Sequence, residues 1–198
     1  MVRPSVLNKF SKTFSDFGFE ANSFSPSYGM AEATVAISFH EPGRGLIVDN
    51  IDLNMLENEG RVIETSGDTD RIRSFVRCGK ILPGHELEVR DPSGNVLPEK
   101  RVGTFFLRGP STMKGYDGLP EETADVLDEQ GWLNTGDLGY LSDEEIVITG
   151  RAKDLIIMNV RNIWPQDIEW SVERDISLCR TGDVSAFSVQ NGNEETIV

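Results

Sequence analysis

The stretch "NTGDLGYLSDEEIVITGRAKDLII", running from Asn134 to Ile157, holds a carboxylate and a guanidinium at a spacing that lets them meet. Asp137 follows Gly136 at a turn, and Arg151 follows Gly150 where the next strand ends. If residues 138–141 pair with 146–149 through the Ser142–Glu145 turn, both side chains return to one end of the hairpin. Such a pair has two uses. It is a surface salt bridge, worth at most ~1 kcal/mol, or it grips the hydroxyls and phosphate of one nucleotide.

Few other residues compete for a chemical role. The chain contains no nucleophile elbow and neither of the common glycine-rich phosphate loops. His40 and His85 stand alone, without metal-ligand spacing, and read as ordinary loop or rim histidines. Cys78 and Cys179 form no CxxC pair and read as free thiols in a reducing cytosol, packed as small hydrophobes. With 33 acidic residues against 19 basic ones, and a formal net charge of −14, the chain offers no cationic surface to nucleic acid. No apolar run approaches membrane-spanning length, so no membrane span is expected and the expected location is cytoplasmic.

Pattern predicts the framework around these residues. At 198 residues, 38% of them hydrophobic, the chain supports one or two domains with a buried core. Val6, Leu7, Phe10, Phe14 and Phe17 recur at helical spacing between Pro4 and Gly18, which predicts a helix with a core-facing aromatic stripe. Pro26 and Gly29 predict a loop, and Ala33, Val35, Ile37 and Phe39 alternate toward a strand. "GLIVDNIDL" reads as a strand and "LNMLENE" as a short helix, with the acidic loop "ETSGDTD" the best internal boundary. From Ile72 come short strands: "IRSFVRC", "HELEVRD", "VGTFFLR", "GWLNT", "DLGYL" and "EIVIT". Their even spacing predicts a small barrel or sandwich, interrupted by one helix, "LPEETADVLD". Beyond Asp154, "LIIM", "PQDIEWSVERD" and "VSAFSV" read as strand, helix and strand.

Three segments stand out in order: "PSYGMAEAT" (26–34), "NTGDLGY" (134–140) and "GRAKDLIIMNVRNIWPQDIE" (150–169). Together they resemble the signature motifs of the adenylate-forming superfamily, which includes acyl-CoA synthetases, luciferases and peptide-synthetase adenylation domains. The resemblance is closest to the fatty acyl-AMP ligase branch, on "YGMAEAT" and "RNIWPQDIE". It covers the chain from about Arg3 onward, including "CGKILPGHELEVRDP" and "VGTFFLRGPSTMKGY".

The resemblance implies a mixed α/β fold in three parts. Residues 1–70 would end a layered α/β sheet subdomain that binds AMP. Residues 71–152 would form a small antiparallel β-barrel subdomain, and 153–198 the hinge and an incomplete α+β C-terminal domain. It also implies roles. Tyr28 would lie against adenine, with Gly29 and Met30 continuing the cofactor-binding loop. Glu32 would hold Mg²⁺ beside the phosphates of ATP, since a hard cation takes carboxylate oxygen. Asp137 would accept from both ribose hydroxyls, Arg151 would meet the ribose and phosphate edge, and Lys153 would match the hinge. The implied partners are a fatty acid and the phosphopantetheine thiol of an acyl carrier protein, or CoA. Two departures are visible. Ala31 stands where the wider superfamily has Thr, an Ala that the fatty acyl-AMP ligases share, and Val160 stands where Gly is usual. The family's phosphate loop would fall before residue 1 and its catalytic lysine beyond Val198, so the chain is expected to be the middle of an enzyme, an acyl-CoA synthetase or a noncatalytic module that binds nucleotide or a partner being the alternatives.

Overall fold

The computed structural model describes residues 2–67, 71–158, 161–191 and 194–198. Val160, the departure noted above, lies outside the described residues. Helix α1 spans Pro4–Phe14, with Pro at its first turn, and runs through a 3-10 turn into Gly18 at φ 87°. Proline opens it because its missing N–H has no partner there anyway, and glycine closes it in the left-handed region. The aromatic stripe is not core. No residue of α1 is buried, and Phe17 is 84% exposed. Phe10, Phe14, Phe19 and Phe24 gather on one another, with ring centroids 4.5–6.2 Å apart. Helical spacing defines a face but not what covers it.

The strand expected across residues 33–39 is largely a turn. β1 (Ser27–Tyr28) pairs with β2 (Ser38–Phe39), and a 3-10 turn, Ala31–Ala33, lies between them. Thr34 at φ 66° breaks the extended run, so Ala33 and Ile37 are buried while Val35 and Phe39 are exposed. β3 (Val48–Asp52) leads directly into α2 (Leu53–Glu59). Asp52 caps that helix by accepting from the Asn54 and Met55 amides, and Gly60 ends it.

The other strands of the main sheet are β4 (Ile72–Ile81), β5 (Glu86–Arg90), β6 (Gly103–Arg108), β7 (Leu133–Ser142) and β8 (Glu145–Arg151), with α3 (Pro120–Val126) before β7. "GWLNT" and "DLGYL", expected as two strands, together make the single strand β7. The eight-stranded sheet runs β1-β2-β4-β8-β7-β6-β5, with β3 also on β4. Every pairing in it is antiparallel, and strands from both sides of residue 70 share it. The expected antiparallel architecture is present, but the sheet is open and not a closed barrel. The outer edge of β5 is taken by its own return segment, through the Arg90–Val96 bridge and the Leu97 amide on the Val89 carbonyl. An edge satisfied this way has no ladder left to offer β1.

Beyond β8 come β9 (Ile156–Met158) pairing with β10 (Arg161–Ile163), α4 (Pro165–Asp175), and the hairpin β11 (Ser188–Asn191) with β12 (Glu194–Ile197). Two buried clusters hold the sheet. One contains Tyr28, Ile37, Phe105 and Ile146, the other Ile51, Phe75, Tyr140, Val147 and Trp164. Ile146 and Val147 are neighbours on β8, so the clusters lie on opposite faces. Among the described residues no helix is long and apolar enough to cross a membrane.

Candidate functional site

The site begins with a distortion in β7. Between the Thr104–Leu138 and Phe106–Asn134 pairs, β6 advances two residues while β7 advances four, so Thr135–Asp137 bulge out of the ladder. Bulges re-aim side chains next to functional sites. Local bonds fix this one. Asn134 Oδ1 accepts from the Gly136 amide at 3.0 Å, and Thr135 Oγ1 accepts from the Asp137 amide at 3.1 Å while donating to the Phe105 carbonyl. Gly136 sits at φ 69°, where a side chain costs energy. The sequence reading gave Thr135 no role, although it stands inside the quoted "NTGDLGY".

Asp137 and Arg151 are direct cross-strand partners, as the hairpin spacing predicted. Arg151 Nε donates to Asp137 Oδ1 at 2.9 Å. The Tyr28 hydroxyl donates to Asp137 Oδ2 at 2.7 Å, across 109 residues of chain. The Asp137 side chain is 11% exposed and that of Arg151 51%, so this is not a pair of two exposed groups. Burial, then the Asp137 carboxylate, push the Tyr28 hydroxyl well above the ordinary tyrosine range and keep it a donor. The hydrogen bond to Asp137 raises the Arg151 guanidinium in turn.

The loop carrying Tyr28 is fitted tightly. A Cβ on Gly29 would fall 1.6 Å from the Val35 carbonyl oxygen, so only glycine fits without moving backbone. The Tyr28 carbonyl accepts from Ile37, and Ser38 Oγ accepts from the Tyr28 amide. Met30 packs against the same buried cluster. The Tyr28 ring lies 6.1 Å from that of Phe105 and lines a cavity of about 370 Å³ with Gly29, Val76, Cys78 and Ile148. Burial pushes the Cys78 thiol up to about 11.

Glu32 stands on the 3-10 turn, four residues from Tyr28. Its Oε1 accepts from the Tyr116 hydroxyl at 3.0 Å, and its carbonyl accepts from the Met113 amide at 2.7 Å. Tyr116 is a residue that sequence reasoning missed, its only signal being the quoted "MKGY". No group of three or more His, Cys, Asp or Glu is placed to hold a metal among the described residues. A lone carboxylate fits Mg²⁺, which keeps its waters and takes phosphate oxygens instead of a protein cage. Lys153 is exposed on the 3-10 turn after β8 and makes no hydrogen bond or ion pair among the described residues.

A larger cavity than that beside Tyr28 lies elsewhere. About 990 Å³ opens between α1, the start of β4 and α4. Arg73–Asp167 and Arg3–Glu173, each at 2.7 Å, tie its walls, and Arg3 and Arg73 flank Trp170. Burial outweighs Arg73 and pushes the Asp167 carboxyl up to about 6. At the end of β8, Trp164 fills the space over Gly150, where a Cβ would come 2.9 Å from the indole. His85 Nε2 lies 2.7 Å from Ser111 Oγ, but its Nδ1 is buried without a partner among the described residues. A working nucleophile–base pair has a third group orienting the base, so this contact is structural.

Known proteins resemble the chain over nearly all of its length. Residues 1–117 match the family of AMP-binding enzymes, and the chain belongs to that family. Within it, the likeness is to fatty acyl-AMP ligases and their neighbours. A putative acyl-CoA synthetase of Caulobacter vibrioides is 49% identical over 198 residues, covering 100% of this chain and 35% of that protein. A long-chain-fatty-acid–AMP ligase of Mycolicibacterium smegmatis is 32% identical, over 95% of this chain and 32% of its own length. A solved structure from a study of fatty acyl-adenylate ligases from E. coli and L. pneumophila superposes with a TM-score of 0.92. It is 39% identical and matches 99% of this chain and 35% of that one. The chain thus spans about a third of the length of the relatives it matches.

Proposed function

We propose that this chain forms the adenine- and ribose-binding part of a ligase that activates a fatty acid with ATP. In that reaction a carboxylate oxygen of the fatty acid attacks the α-phosphorus, pyrophosphate leaves, and acyl-AMP remains. The acyl group then passes to the thiol of an acyl carrier protein: the sulfur bonds to the acyl carbon, the thiol gives up its proton and AMP leaves. The observation that carries the reading is the Tyr28–Asp137–Arg151 chain beside the Tyr28 cavity.

The Tyr28 ring supplies a flat apolar wall for adenine. Asp137 accepts from the ribose hydroxyls, and the exposed end of Arg151 meets the phosphate edge. Glu32 would hold Mg²⁺, which neutralises phosphate charge when bound. Lys153 belongs to the hinge. The protein's share of catalysis is to place two anions in line and offset their charge.

Calorimetric titration of the chain with AMP tests the reading, with saturable binding expected. No saturation at millimolar AMP would sink it. Because the chain spans about a third of its relatives, fatty-acid-dependent exchange of pyrophosphate into ATP is expected to be absent from the chain alone.

A second reading, CoA as acceptor, is favoured by the 49% identity to a putative acyl-CoA synthetase. A competition between CoA and carrier protein in the ligase containing this chain decides between them.

A further inference from the structure

We infer that Tyr28 is a positioning residue for ribose: its hydroxyl aims the Asp137 carboxylate so that each oxygen keeps one acceptor site for the sugar. The inference rests on the nucleotide reading above and goes beyond it, because that reading uses only the face of the Tyr28 ring.

The argument is one of lone pairs. A carboxylate has two oxygens and about four acceptor directions. Tyr28 takes one on Oδ2, and Arg151 takes one on Oδ1. Among the described residues no other donor reaches the Asp137 carboxylate. One direction on each oxygen is left, which is the number a cis-diol needs. The two donors are not equivalent. Arg151 is half exposed, on a long side chain at the end of β8, and its hold is soft. Tyr28 is 8% exposed and seated against Phe105. Its backbone is bonded to Ile37 and Ser38. A rigid donor fixes the carboxylate plane, whereas a flexible one follows it. Without the hydroxyl, Oδ2 would lose its one buried partner, and the carboxylate would turn toward Arg151 and water. Such a turn takes both remaining acceptor directions off the diol.

The test compares AMP with 2′,3′-dideoxy-AMP, two ligands differing only in the hydroxyls at issue. Affinities for both are measured by calorimetry on the wild-type chain, Tyr28→Phe and Asp137→Ala. Phenylalanine keeps the ring and removes only the hydroxyl. The wild type should prefer AMP by ~10-fold or more, as charge-assisted hydrogen bonds imply. In Tyr28→Phe that preference should shrink to about threefold or less. In Asp137→Ala it should vanish. Full preference retained in Tyr28→Phe, with Asp137→Ala losing it, overturns the inference and leaves the nucleotide reading standing. If Tyr28→Phe loses affinity for both ligands in parallel, Tyr28 only packs, and the inference is again overturned. A preference that survives Asp137→Ala, or that the wild type lacks, overturns the ribose reading and this inference with it.

Discussion

Gly29 has no room for a side chain, because a Cβ there would meet the Val35 carbonyl at 1.6 Å. Gly29→Ala must therefore move the segment that seats Tyr28. Overpacking of this kind costs ~1–3 kcal/mol, and calorimetry should show AMP affinity down by tenfold or more, with a lowered melting temperature. Asp137→Ala should weaken AMP binding at least as much. Its turn position alone suggests little cost to folding, but the structure reverses that expectation. The substitution leaves the buried Tyr28 hydroxyl without its acceptor, at ~1–3 kcal/mol. Chemical denaturation should record this loss, and Tyr28→Phe in the Asp137→Ala background should restore part of it. The Asp137–Arg151 pair was legible in the sequence because a hairpin's register is local. The bond from Tyr28 was not, since nothing in a pattern links positions 109 residues apart.

At the scale of elements, the pairing of β7 with β8 was legible, although β7 was expected as two strands. Their loop is nevertheless unusual. Asp143 and Glu144 take φ values of 53° and 63° without the usual asparagine or glycine, and their amides donate to the Glu99 carboxylate. The alternation of strands also announced the antiparallel sheet. Its openness depended on which segment claimed the β5 edge, and periodicity carries no such information. Helix α4 was read to its residue bounds, yet its docking on β4 through Asp167 was hidden. That contact has a pH signature. The folded-state pKa of Asp167, about 6, lies above its unfolded value of 3.8. The folded chain thus holds this proton more tightly, and the resulting stability is fully present below pH ~4 and lost by pH ~6. Asp167→Asn cannot titrate. From pH 4 to 6 the melting temperature of the wild type should fall relative to that of Asp167→Asn, by the equivalent of ~1–2 kcal/mol. Parallel curves across that window would remove Asp167 from the account.

In the molecule as a whole, the segment joining β8 to β9 is exposed, while the chain on its C-terminal side is anchored. Arg151 and Lys153 lie open on the surface, so trypsin should cut there first. The pieces should stay together on native size-exclusion chromatography, because Arg3–Glu173, Arg73–Asp167 and Trp164 still hold α4. Mass spectrometry of the peak decides, and separation of the pieces on cleavage would show that these contacts do not hold. The sequence marked the joint but not the anchor, for Trp164 reads as one more apolar residue until Gly150 is seen beneath it. That anchor sets the terms of any swing about Lys153. Withdrawing a tryptophan that buries ~150–250 Å² costs ~4–6 kcal/mol at ~25 cal/mol per Å². The undocked arrangement would then hold at most about one molecule in a thousand at rest. A ligand that makes the swing routine must bind the undocked arrangement ~10³-fold more tightly than the docked one, or stay without effect on it.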